Sequence, residues 1–313
     1  MGVFVFLPLV LPLTAWPIAR LAEQHLHPRV ATRLLTGVAG VMALCSTVCL
    51  GLLVVVGTAQ LPGNPLPDGW SDPEVRAAVP QDEVAGKLAI PALLVVAVAC
   101  GRLLRRHRTV RRRAHRALAG LPGTAVAVLP DDTPYAYALP GGARDRTGRV
   151  VVTTGLLAGL RPAERRALFA HERAHLSARH HRFLLVVQLA ARANPFLRPL
   201  RTAVSYTAER WADEEAARVV GDRRVVARAI GKAALVSRGT PVPTLAGFAA
   251  PGPVPRRVAA LLGPAPAVGN WPPAFTAVGL AAWTAAVGTA VSAMSSANSA
   301  VTLALVLHAA TPL

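Results

Sequence analysis

The sequence predicts a mainly α-helical protein that crosses a membrane several times and carries a helical domain with a small β-sheet between its apolar segments. Three observations predict it. Hydrophobic residues make up 53% of the 313 and charged residues only 16%, too apolar for a typical soluble domain. The apolar residues gather in uncharged runs near the two ends of the chain. The charge is one-signed, a formal +18, and much of it sits at the borders of those runs.

Residues 3–19 are uncharged and interrupted by Pro8, Pro12 and Pro17. A cleaved signal peptide needs a basic segment ahead of its apolar stretch, and none is present, so a kinked first transmembrane helix is expected. Arg20, Arg29 and Arg33 follow. Residues 34–58 are then uncharged and rich in Leu, Val, Gly and Ala, long enough to span about 30 Å of hydrocarbon. Residues 61–83 form a Pro/Gly-rich loop with Asp68, Asp72, Glu74, Asp82 and Glu83 against the single base Arg76. Residues 84–101 make a third apolar run in which Lys87 must snorkel. Together these give an N-terminal transmembrane region of three helices over residues 1–103.

Arg102, Arg105, Arg106, Arg108, Arg111, Arg112, Arg113 and Arg116 follow at once. The bias of basic residues towards the cytoplasm then puts the 20–33 link and everything after residue 101 inside, and the acidic 61–83 loop outside. The Arg-rich 102–116 segment abuts a membrane span and carries no DNA-reading motif. Its expected partner is anionic lipid; no direct nucleic-acid contact is expected. Cys45, Cys49 and Cys100 lie in apolar runs and form no CxxC, which points to packing rather than redox or metal chemistry.

From residue 120 the pattern changes. Residues 124–129, 135–138 and 149–153 read as short strands, with a turn at Pro140-Gly141-Gly142. The edge of such a sheet could hold an extended substrate; a purely structural sheet accounts for the same residues.

Pro162 and Glu164 then mark a helix start, and nothing breaks the helix through His180. It contains Ala170-His171-Glu172-Arg173-Ala174-His175, an HExxH motif. Histidines four apart share a helix face, roughly 6 Å apart along the axis. Both can reach one metal ion, typically zinc. Glu172 beside the first histidine can act as general base in a hydrolysis. A third protein ligand is needed. Residues 207–215 are helical by composition, and Glu209 and Asp213 share a face there. Glu209 is the expected ligand, with Asp213 placed to hold a histidine ring N–H and fix its tautomer. Glu214 and Glu215 are expected to be solvated, and His180 and His181 to be polar edge residues. Residues 183–191 are too short to span and read as a buried or membrane-lying continuation of the helix, ended by Asn194-Pro195.

The ordered set His171-Glu172-x-x-His175, Asn194-Pro195 and Glu209-x-x-Ala212-Asp213, preceded by the strand and turn 151–157, resembles the membrane zinc metallopeptidases of the beta-lactam sensor-transducer (BlaR/MecR) family. More distantly it resembles the Ste24 and HtpX-type membrane proteases, which share the HExxH and ExxxD elements. The resemblance covers roughly residues 120–220. It implies a helical, gluzincin-like metallopeptidase domain, one zinc ion per chain on His171, His175 and Glu209, and Glu172 as catalytic base. It also implies a protein or peptide substrate, in that family a cytoplasmic transcriptional repressor. Two departures stand out. His180 occupies a position where these families often have Asp, and the family's extracellular penicillin-binding sensor domain has no counterpart in the 313 residues.

Residues 222–238 read as a further basic helix. Residues 239–273 are a Pro/Gly-rich linker around short helices, containing Arg256-Arg257. The zinc metallopeptidase domain is thus expected over residues 104–270, on the cytoplasmic face. Residues 271–313 form a C-terminal transmembrane region. Its first part, to about Met294, is a span, and polar residues 295–299 leave a second open, so four spans are expected with a fifth undecided. The function this implies is a cell-membrane zinc endopeptidase, with regulatory cleavage of a repressor as its suggested role. A housekeeping or quality-control membrane protease, or a non-catalytic receptor or scaffold with structural zinc, would share many of these features. A structural site has no need of Glu172.

Overall fold

The computed structural model describes residues 6–59, 82–142, 148–237, 254–266 and 273–309. Residues 61–81 of the expected 61–83 loop and much of the linker expected at 239–273 lie outside these residues. Three prolines act on the first apolar segment as their missing N–H groups dictate. It folds as a short helix α1 (Leu7–Val10), a 3-10 turn (Leu11–Thr14) and the helix α2 (Ala15–His25). The segment expected as a kinked span over 3–19 thus runs helically from Leu7 to His25 in three contiguous pieces, none of them long enough by itself to cross. α2 instead buries Ala15, Ile18, Ala19 and Ala22 against the next helix and the later helix that carries Glu209.

Among the described residues three helices are long and apolar enough to cross a membrane: α3 (Pro28–Ala59), α4 (Asp82–Ala117) and the last helix of the chain. α3 and α4 cross where Gly57 meets Gly86. A Cβ on either would collide with the other's backbone, and this close approach of small residues packs helices where lipid offers no hydrophobic drive. Both helices are longer than the hydrocarbon is thick. Their basic ends, Arg29 and Arg33 on α3 and Arg102 to Arg116 on α4, reach beyond it.

After α4 come β1 (Val126–Leu129), β2 (Ala136–Leu139) and β3 (Arg149–Thr153). β3 lies in the middle, parallel to β1 and antiparallel to β2, with Val150, Val151 and Val152 all buried. β2 is left as an edge beside the HExxH helix. Thr153 caps α5 (Thr154–Ala158) by accepting from the Leu156 N–H. Then follow α6 (Pro162–Ser177), α7 (His180–Ala193), a 3-10 turn (Pro195–Leu197), α8 (Arg198–Val220), α9 (Arg223–Val236) and α10 (Val254–Leu262).

The expected unbroken helix through His180 is corrected. Arg179 takes a left-handed conformation at φ 55°, splitting α6 from α7. α7 does not simply continue α6; it packs between α3, α4 and α8. The break at Asn194-Pro195 occurs as expected. There the Asn194 amide donates to Ser46 Oγ at 3.1 Å and to the Leu9 carbonyl at 3.3 Å, tying the turn to the membrane helices.

α11 (Ala277–Ala309) runs unbroken through residues 295–299. Ser292, Ser296 and Ser299 face the packed side, so the polar patch turns inward and the tail forms one helix, not two. Three of the four expected spans are thus single long helices.

Candidate metal centre

α6 begins as a helix should. Pro162 sits in the first turn, where a missing N–H costs nothing. The Glu164 carboxylate accepts from the Arg161 N–H at 2.8 Å and from Lys232 Nζ of α9 at 2.8 Å. The inner face of α6 is lined with small residues. Ala167 and Ala170 pack on Ala216, Ala217, Val226 and Ala229 of α8 and α9. These small contacts let α8 lie close beside α6, so side chains from the two helices can share one ion.

Three groups converge there. His171 Nε2 and His175 Nε2 are 3.1 Å apart, His171 Nε2 is 3.4 Å from Glu209 Oε2, and His175 Nε2 is 3.3 Å from Glu209 Oε1. A tetrahedral zinc with 2.0–2.1 Å bonds has ligand-to-ligand edges of about 3.3–3.4 Å. The donor set and its spacing therefore fit zinc, with three protein ligands and the fourth position left for water or substrate. His171, His175 and Glu209 are the residues that the sequence singled out.

The surroundings orient these ligands. Asp213, fully buried, places Oδ1 3.1 Å from His171 Nδ1. His180 overturns its expectation. It is 0% exposed rather than an edge residue, and its Nδ1 lies 2.9 Å from His175 Nδ1. In a continuous helix a residue five positions on points about 140° away; the left-handed Arg179 folds His180 back over His175. Such a residue costs on the order of 1 kcal/mol of backbone strain. His180 also packs at a tilt against Trp211, whose ring lies under Arg29 and Arg33 of α3. Glu214 departs from expectation too. It is nearly buried and bridges Arg210 and Arg223. Glu215 pairs with the exposed Arg218.

Arg257 is the site residue missed by sequence reasoning. From α10 it makes two hydrogen bonds to Asp213, at 2.6 and 2.9 Å, and an ion pair to Glu209 Oε2 at 2.9 Å. One guanidinium thus neutralises two buried acids that would otherwise repel. Leu261 on the same short helix docks into the α6–α8–α9 core and holds it in place. In sequence Arg257 carries no signal that separates it from the many other arginines.

Electrostatics follow from burial and these contacts. For His171, burial favours the neutral ring, but the Asp213 and Glu209 carboxylates outweigh it and raise the pKa to about 10. For His175 burial prevails over Glu209, lowering it to about 4. The metal-free site thus keeps one proton, on His171 between the two acids. Burial disfavours the Glu209 anion, yet Arg257 and the histidines hold its pKa well below the ordinary carboxylate range. A bound dication reverses the histidine preference, because the ligand must be the neutral ring. Glu172 sits beside the ligands on the cleft wall. Burial pushes its pKa up to about 7, against an opposing N–H donated by Ala138 of β2. The cleft, of about 530 Å³, runs along β2 between α6, α9 and the end of α4. His171, Glu172, His175 and Glu209 all line it.

Residues 102–193 match the model of a family described as peptidase family M48, a stretch holding His171, Glu172 and His175 but ending before Glu209. A protein named "Protease HtpX homolog" from Methanocaldococcus jannaschii is 36% identical over 85 residues, 27% of this chain and 28% of that protein. Another of that name, from Moorella thermoacetica, is 36% identical over 91 residues, 29% of each. The chain thus aligns with under a third of the length of the curated relatives it matches. No solved structure matches it. These matches favour the HtpX-type resemblance, the more distant of the two seen in the sequence; the sensor-transducer assignment is not supported by them.

Proposed function

We propose that the chain is a multi-pass membrane zinc endopeptidase. The observation that carries this is the convergence of His171, His175 and Glu209 at the edge lengths of a tetrahedral zinc site, with Glu172 beside them on an open cleft. Zinc held there supplies Lewis-acid polarisation of a scissile carbonyl and an acidified water. The chain's own groups do the rest. The Glu172 carboxylate takes the proton from the attacking water and delivers it to the leaving amine. A pKa near 7 suits a group that must both accept and donate near neutral pH. Asp213 and His180 hold the two imidazoles in orientation, and Arg257 holds Asp213 and Glu209. The β2 edge lies along the cleft, where an extended peptide can pair by strand addition.

Three finer points belong to the same reading. The catalytic face is cytoplasmic. This is supported by the arginines of α4, one of which, Arg111, donates from Nη2 to the Gly141 carbonyl at 2.9 Å; the cleft thus shares the side of the basic run. The remaining arginines of that run are exposed and suit anionic headgroups. The substrate is a protein, and cleavage of a cytoplasmic repressor is the regulatory form that the motif order suggests.

The test is Glu172→Gln in the purified, zinc-loaded protein. Zinc content should be unchanged, while peptide cleavage should fall by at least the 10²–10⁴-fold typical of a lost general base. Cleavage at the wild-type rate would remove Glu172 from this role.

A further inference from the structure

The cleft has two unlike ends. Glu172 meets the Ala138 N–H near the middle of β2. Towards the start of that strand the walls are apolar: Leu156 of α5 with Val226, Ile230 and Ala233 of α9. Towards its far end, past Pro140, the walls are His107 and Arg111 of α4 and His181 of α7. His107 and Arg111 are four apart and share a face of α4. Of the eight arginines between Arg102 and Arg116, seven are exposed and only Arg111 turns inward.

Arg111 uses Nη2 on the Gly141 carbonyl, which fixes its fork against the rim. Its Nε is buried with no hydrogen-bond partner, as is His181 Nδ1. Among the described residues the only acids lining the cleft are Glu172 and Glu209, both committed to the metal centre. Burial, and then Arg111, depress His181 to about 4, so at neutral pH it offers a neutral ring. Arg111 is half-buried and lines the cleft, and a guanidinium with no acid facing it pairs best with a carboxylate.

The geometry points to an anion-binding subsite at this end. Resting on the peptidase reading above, we infer that the cleft selects extended peptides bearing an acidic side chain a few residues from the scissile bond. That acid lies on the Arg111 side, with an apolar side chain on the opposite side. β2 ends at Leu139, so Arg111, held at the Gly141 carbonyl, lies just past the end of the strand on which Ala138 meets Glu172. The acid should then fall a few residues from the bond cleaved beside Glu172.

Binding separates this from catalysis. Full-length zinc-loaded Glu172→Gln protein in nanodiscs of zwitterionic lipid is titrated with fluorescent decapeptides. Each carries one fixed Leu, with Glu, Gln or Lys scanned through the other positions. At one position on one side of the Leu, Glu should bind roughly 10- to 100-fold tighter than Gln, the worth of a charge-assisted hydrogen bond, and Lys weaker still. Adding Arg111→Gln should erase the Glu preference, and Arg111→Glu should reverse it towards Lys. Because each ratio is internal to one variant, a partly destabilised protein still reports. Equal affinities for Glu and Gln at every position overturn the subsite. So does a Glu preference that persists in Arg111→Gln. Loss of the preference when anionic lipid is added assigns Arg111 to a headgroup and also overturns it. Peptides that bind with the expected preference but are never cut by the wild-type protein sink the peptidase reading alone.

Discussion

Arg257 makes a strong energetic demand. Its guanidinium is 7% exposed and is shared between Asp213, which is fully buried, and Glu209. Removing one member of a buried ion pair leaves an uncompensated charge, at about 3–5 kcal/mol. Asp213→Ala should therefore destabilise the metal-free protein by about that much, and Arg257→Met by a similar amount. The double variant removes both charges together and should cost far less than the sum. The coupling should be at least about 3 kcal/mol, well above the ~0.5 kcal/mol of independent sites. Zinc affinity reports a different link. Asp213→Ala also frees the His171 ring, which should weaken zinc by about 10–100-fold, or roughly 1.4–2.7 kcal/mol, in the single and the double variant alike. Glu209→Ala loses a metal bond outright and should leave the site empty. The assays are unfolding of the metal-free variants and chelator-competition zinc titrations. A coupling below about 1 kcal/mol would refute the shared-charge argument. An empty site in Asp213→Ala with full zinc in Glu209→Ala would reverse the roles of the two acids.

The remaining predictions concern pH, His180 and topology. In the metal-free protein His171 keeps its proton up to about pH 10 against an ordinary 6.5. The stability this contributes is complete below pH 6.5 and lost as pH rises through 10. Zinc must displace that proton, so its Kd should tighten about tenfold per pH unit between pH 7 and 9; a flat Kd in chelator competition would show that His171 is already neutral. His180→Phe keeps a buried ring but removes the partner of His175 Nδ1, and should weaken zinc by about 10–100-fold, with His180→Asn restoring part of it; unchanged affinity in His180→Phe would reduce His180 to packing. A reporter fused after residue 118 should behave as cytoplasmic and a tag within residues 63–80 should label from outside, whereas the opposite pattern would reverse the orientation.

Local physics made much of this site legible in the sequence. A helix advances 100° per residue, so His171, Glu172 and His175 had to lie together once Pro162 started an unbroken helix around them. The same rule paired Glu209 with Asp213, and alternation in residues 124–153 gave three strands close to where they fold. The long apolar runs at 34–58 and 84–101 and the apolar tail gave the three helices long enough to span. Where the reading failed, a neighbour distant in sequence, or backbone chemistry weighed too lightly, decided the outcome. Composition alone could not show that the proline-kinked first run packs on α3 and α8. Nor could it show that residues 295–299 turn inward on one continuous helix. The left-handed Arg179 has no glycine to announce it, so His180 read as an edge residue although it is the buried partner of His175. Arg257 reaches the metal centre from a short helix 44 residues beyond Asp213, carried there by the docking of Leu261. Spacing along one helix is set by the backbone and can be read directly. The partner that neutralises Glu209 and Asp213 is set by which helices pack together, and only the tertiary structure decides that.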